Sequence, residues 1–225
     1  MESRPYQLCP LCGNKSHFTP FGLTPRANAQ CSICGSLERH RIAWLFLRRM
    51  TDLFAPLPRV MLHVAAEKCL SKHLSKLPHL RYLPIDIKST AAELRIDITK
   101  MPYQNGSIDV TFCSHVLEHI DDDRKAMSEV RRTLSPRGWA VFIVPITASR
   151  TMEDPSIRDP KQRTQIFGQW DHVRRYGPDF EGRLRESGFR VQCFSRQTVA
   201  HPHEAETMAL RDDKIFLCIR EGSIR

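Results

Sequence analysis

The sequence has no stretch of about eighteen apolar residues, so no segment is expected to cross a membrane as a helix. Its first ten residues, MESRPYQLCP, lack the apolar centre of a secretory signal, which makes the cytoplasm the expected location. Long blocks of lysine and arginine are missing too, and no internal repeat stands out. The formal net charge of +9 therefore favours an anionic partner, such as nucleic acid, a phosphorylated metabolite or a membrane surface, without selecting one. The arginine-rich pieces, Arg39 to Arg49 and Arg131-Arg132, fall in amphipathic helical patterns, where a solvated face accounts for them.

With 225 residues the chain is long enough for one α/β domain and a small accessory module. Its eight cysteines fit a reducing compartment if four bind metal and the rest are buried thiols. The four are Cys9, Cys12, Cys31 and Cys34, two CxxC knuckles separated by eighteen residues, each followed by a glycine. That spacing predicts a four-thiolate ribbon holding a structural Zn2+ in place of a core the segment is too polar to build. His17 is a substitute ligand, and Phe18-Thr-Pro-Phe-Gly between the knuckles reads as a turn. Ser36 is the expected N-cap of a helix over 37–50 that docks through Trp44, Leu45 and Leu47, so the module is expected to span 1–55.

From Val60 the pattern alternates strand and helix. Val60 to Ala65 is a buried strand, Leu70, Leu74 and Leu77 share a helix face, and Leu80 to Ile85 is a second strand ended by Asp86. A third short run ends at Asp97. A carboxylate after the second strand of a nucleotide fold can accept two hydrogen bonds from ribose hydroxyls, and one after the third can accept from an adenine amino group. Ile108 to Asp122, IDVTFCSHVLEHIDD, reads as a strand, then a polar turn, then aspartates that cap a helix with Ala126, Val130 and Leu134 on its apolar stripe. Trp139 to Val144 is a central strand, 146–170 is expected to be a lid, and the chain closes with a helix near 179–187 and a hairpin of Phe189 to Phe194 with Lys214 to Arg220.

Asp86, Ile96-Asp97-Ile98, Ser107-Ile-Asp-Val, His115-Val-Leu-Glu-His-Ile and Leu134-Ser-Pro-Arg-Gly-Trp together resemble the class I S-adenosylmethionine-dependent methyltransferases of the type 11 group. A variant with a preceding zinc ribbon is similar also in CxxCGSLERHR and in Phe167-Gly-Gln-Trp-Asp-His-Val-Arg-Arg-Tyr-Gly177. The resemblance implies an α/β, Rossmann-like, doubly wound sheet of seven strands in the order 3-2-1-4-5-7-6 over 56–225, with S-adenosylmethionine across strands one, two and four. The implied cofactor-binding residues are His63, Ala65, Ala66, Glu67, Asp86, Asp97, Ile98, Ser114 and His115. The sequence departs from the family at the first loop, where the usual glycines are replaced by Ala65, Glu67 and Cys69, and the usual acid by His63.

Methyl transfer from a sulfonium is an in-line displacement, so such an enzyme aligns the acceptor and, for a hydroxyl, removes its proton. His172 and His115 are the candidate bases, with Asp171 or Glu118 to orient a ring, Arg174 to hold an anionic acceptor, and His119 in the turn between. Three functions follow. One is methylation of a small-molecule or glycan hydroxyl; another is methylation of an RNA base with the ribbon docking the nucleic acid, although aromatics interleaved with basic residues are sparse there. The third is a non-catalytic zinc-containing binding module with a degenerate cofactor loop.

Overall fold

The structure is a computed structural model, and it describes residues 6–22, 24–87 and 94–220. The chain forms two compact units. One comprises Met1–Leu57, Glu67–Pro78 and Phe194–Asp213, the other Pro58–Ala66, His79–Cys193 and Lys214–Arg225. Among the described residues, no helix is long and apolar enough to cross a membrane.

The larger pattern is a seven-stranded sheet of β1 (Arg59–Val64), β2 (Leu80–Asp86), β3 (Leu94–Arg95), β4 (Ile108–Ser114), β5 (Leu134–Ile143), β6 (Phe189–Phe194) and β7 (Ile215–Arg220). Its order is β3-β2-β1-β4-β5-β7-β6, with the first five strands in that order parallel to one another and β7 antiparallel to β5. This is an α/β, Rossmann-like sheet, and its order is the one the family resemblance implies. Val110, Phe112, Ala140 and Phe142 are fully buried, as strands covered on both faces require.

Asp109 is a poor strand former whose carboxylate serves the register. It accepts from the Val60 N–H at 2.9 Å and from the Ser135 hydroxyl at 2.9 Å, fixing β4 between its neighbours. Beside it the β4–β5 ladder shifts register between Ile108 and Val110. Gly138 makes that shift possible, because a Cβ there would stand 2.9 Å from the Asp109 carbonyl oxygen.

The turn after β4 is a single 3-10 turn, Leu117–His119, before helix α3, Asp123–Thr133. The three aspartates divide the work. Asp122 caps α3 by accepting from Lys125 N–H at 2.9 Å. Asp123 is buried and takes the Tyr176 hydroxyl at 2.7 Å and Arg183 at 2.8 Å. Asp121 offers its carbonyl to Arg174.

Residues 146–170 are built rather than irregular. Met152–Glu153 pairs antiparallel with Arg174–Arg175, and a helix over Pro160–Phe167 is capped by Asp159 and ended by Gly168.

The first unit corrects two local expectations. Phe18–Phe21 is a strand paired antiparallel with Arg26–Cys31, not a turn. Helix α1 runs over Glu38–Met50 with Leu37 at its N-cap, because the Ser36 hydroxyl is spent on Cys9 Sγ and Cys34 Sγ, each at 3.2 Å.

Candidate functional site

The carboxyl edge of the sheet carries two backbone strains side by side. Ala65, just past β1, has φ 49°, and His115, just past β4, has φ 54°. Left-handed backbone costs a non-glycine residue about 1–2 kcal/mol, so the surrounding bonds must impose it. They do: Ala65 N–H donates to Ile85 O at 2.8 Å and His115 N–H to Ile143 O at 2.8 Å, extending each ladder one residue into the turn. Ala65 thus adopts the conformation for which a glycine is usual, without being one.

Between these turns lies a cavity of about 580 Å³ lined by Ala65, Asp86, Asp97, His115, His119 and Asp171, among others. Its rim is acidic, with Asp121 and Asp122 also present against a single Lys125. Asp97 is fixed by its own turn, where Oδ1 accepts the Thr99 N–H and hydroxyl, each at 2.8 Å. Burial would raise its pKa, but these hydrogen bonds outweigh burial and hold the carboxyl below its usual range.

The 3-10 turn places a second layer behind the cavity. Glu118 is 1% exposed, and its Oε1 stands 3.2 Å from His115 Nδ1. Burial alone would push this carboxyl up. The His115 hydrogen bond and the neighbouring imidazoles prevail and hold it below its usual range, so it is a buried carboxylate. His115 Nε2 and Glu118 Oε2 are buried with no hydrogen-bond partner. His172 lies edge-on to His119, ring centres 4.7 Å apart, with Nδ1 3.3 Å from the Phe167 carbonyl oxygen. Burial lowers its pKa. Asp171 Oδ1 accepts from Gln169 at 2.8 Å, and Oδ2 is 3.2 Å from His119 Nδ1.

Of the expected cofactor residues, the structure brings Ala65, Asp86, Asp97 and His115 to the cavity. Ser114 and Ile98 are buried, and Ile98 belongs to the apolar core beneath. Ala66 is partly buried. His63 does not reach the cavity: it is fully buried, with Nδ1 2.7 Å from the Tyr82 hydroxyl and Phe112 edge-on. Glu67 begins helix α2 (Lys68–Leu74) and stands 3.6 Å from His40 Nε2 within the first unit.

Arg174, expected to hold an anionic acceptor, is instead committed inside the protein. It is 3% exposed and donates to Glu153 at 2.9 Å, Leu117 O at 2.7 Å, Asp121 O at 2.8 Å and Ile120 O. Its planar fork ties the turn after β4 in place, which positions His115 and His119. Thr99, Ile87, Asp121, Asp122 and Lys125 line the cavity without having been singled out in the sequence. Asp121 and Asp122 read there only as helix caps, and no local pattern marks the others.

In the first unit the four cysteines fit a tetrahedral ion. Their sulfurs lie within 4.8 Å of one another, with Cys9–Cys34 at 3.6 Å and Cys12–Cys31 at 3.9 Å. Zn–S bonds of about 2.3 Å place sulfurs about 3.8 Å apart. Each knuckle closes identically, Gly13 N–H to Cys9 O at 2.8 Å and Gly35 N–H to Cys31 O at 2.9 Å. Arg41, fully buried, is the adjoining cation and donates to the carbonyls of Ser36, Ala29 and Met208.

Residues 61–142 match the family described as "Methyltransferase domain". Among solved structures, an S-adenosylmethionine-dependent methyltransferase from Mesorhizobium loti is similar at 20% identity and TM-score 0.53, covering 80% of this chain and 98% of that one. The 1,6-didemethyltoxoflavin-N1-methyltransferase of Burkholderia thailandensis, solved with bound 1,6-didemethyltoxoflavin and S-adenosylhomocysteine, is similar at 13% identity and TM-score 0.55, over 82% of this chain and 78% of that one. An uncharacterized 37.1 kDa protein of a Streptomyces fradiae transposon is 35% identical over 69 residues, 31% of this chain; the match spans 20% of that protein's length. Residues 61–142 thus match a methyltransferase domain family, and the likeness to the solved structures shows the fold.

Proposed function

We propose that this protein is an S-adenosylmethionine-dependent methyltransferase that acts on a hydroxyl of a small-molecule or glycan acceptor. The observation that carries the reading is the convergence of Asp86, Asp97, Ala65 and His115 on one cavity at the crossover between β1 and β4, where open α/β sheets bind their ligands. Asp86 and Asp97 suit the ribose and adenine ends of the cofactor, and the left-handed turn at Ala65 suits its methionine end. When bound, S-adenosylmethionine supplies an electrophilic methyl group on a positively charged sulfur.

The chain's own contribution is positioning and proton removal. His115 lines the cavity with its ring held by Glu118 Oε1, 3.2 Å from Nδ1, and the buried carboxylate stabilises the imidazolium that forms when His115 takes the acceptor proton. The acidic rim attracts a cationic cofactor and repels phosphates. That favours a neutral or cationic acceptor over the anionic one, and a small molecule over RNA, at this mouth.

Titration calorimetry with S-adenosylhomocysteine tests the reading. Binding is expected, weakened about tenfold or more in Asp86→Asn, which loses a charge-assisted pair of hydrogen bonds. Heat indistinguishable from buffer at millimolar ligand would leave the non-catalytic module as the explanation.

A further inference from the structure

We propose that Glu118, His119 and His172 form a second metal site, for a divalent transition ion, set behind the cofactor cavity and distinct from the four-cysteine ribbon. One ligand atom from each of the three lies within 4.8 Å of the others. Among the described residues, only this trio and the four cysteines make such a group.

Three independent features point to a cation there. Glu118 is 1% exposed, and its Oε2 has no hydrogen-bond partner. A buried carboxylate oxygen left unpaired is among the costlier defects a fold can carry, and a cation beside it removes the cost. His119 Nδ1 is likewise buried without a hydrogen-bond partner, with Asp171 Oδ2 standing 3.2 Å away. Finally, His172 turns Nδ1 toward the Phe167 carbonyl at 3.3 Å, which leaves Nε2 as a lone pair. A backbone carbonyl behind the far nitrogen is how ligating imidazoles are oriented.

Two imidazoles and one carboxylate form a donor set for Zn2+, Fe2+ or Mn2+ with positions left open. Metal–nitrogen bonds of about 2.0–2.1 Å draw such ligands closer than 4.8 Å, a gap that small side-chain rotations close. Asp171 stands within reach as a further oxygen ligand. His119 and Asp171 also line the cavity, so an open coordination position faces the space where an acceptor binds. The site deepens the methyltransferase reading by naming the acceptor class, a hydroxyl able to ligate a metal. Its existence is measured without activity.

The test is metal analysis of the full chain after reconstitution with cobalt(II). Bound cobalt is expected to exceed the ribbon's share by one equivalent per chain. The ribbon's ion is recognised by its thiolate-to-metal charge-transfer absorption, and the extra ion by d–d bands without it. His172→Ala and, separately, His119→Gln should each remove the extra equivalent and leave the charge-transfer band unchanged, with circular dichroism and thermal melting confirming the fold. Cobalt content equal to the ribbon's alone in the wild type, or unchanged by both substitutions in folded protein, overturns the proposal. Calorimetry with S-adenosylhomocysteine reports separately on the cofactor, so an extra ion without cofactor binding overturns the methyltransferase reading and leaves the metal site standing.

Discussion

Ala65 and His115 hold backbone conformations that a side chain resists, at the two turns that border the cavity. For Ala65 the resistance is measurable. Ala65→Gly is expected to raise stability by about 1 kcal/mol, since the native φ suits glycine and nothing else changes. Urea denaturation checks this, and a lowered midpoint would show that the alanine methyl packs usefully. The absence of glycines in this loop reads in the sequence as a defect in cofactor binding, whereas the structure shows the glycine conformation retained. Arg174 makes the opposite case. A guanidinium after a candidate lid suggests an anion partner, but its bonds to Leu117 O, Asp121 O and Glu153 make it a brace. Arg174→Lys cannot span these acceptors and should cost about 2 kcal/mol or more in chemical denaturation. An altered acceptor KM at unchanged stability would restore the anion-binding role.

At the scale of elements, the turn from β4 into α3 shows how one short run does several jobs. Its spacing in the sequence announces a strand, a break and a helix start, because those signals are local. Which aspartate caps and which is buried depends on Tyr176 and Arg183, more than fifty residues away. The helix over Pro202–Thr207 offers a test in pH. Arg49 grips Glu204 with both nitrogens, at 2.7 and 2.9 Å, and holds the carboxyl from its ordinary 4.5 down to about 2. With the folded pKa below the unfolded one, the pair stabilises fully above about pH 4.5 and loses its contribution as pH falls toward 2. Both groups are about one-third exposed, so the effect is modest. Thermal melts of the wild type and Glu204→Gln should converge on acidification. A constant gap would assign the difference to capping instead.

For the whole molecule, the four-cysteine cluster carries a prediction of its own. The unit that contains it has little regular sheet, and removal of the ion by a strong chelator, or Cys31→Ser, should unfold that unit and lower metal content together. Protein that keeps its circular dichroism and melting profile after complete demetallation would show that thiols alone pack well enough.

The sequence by itself marked most of the strands and helices, through period and apolar runs, and the four-cysteine cluster, through CxxC spacing, since both patterns are short-range and chemically specific; the strand order came from the family resemblance. It also marked Asp86, Asp97 and His115, because strand ends can be read locally. Only the tertiary structure decided that His63 is packed against Tyr82, that Arg174 is consumed by carbonyls, and that Glu118, His119 and His172 meet. Those outcomes depend on residues far apart in the chain, and on whether a buried polar atom finds a partner. No spacing in the sequence records that.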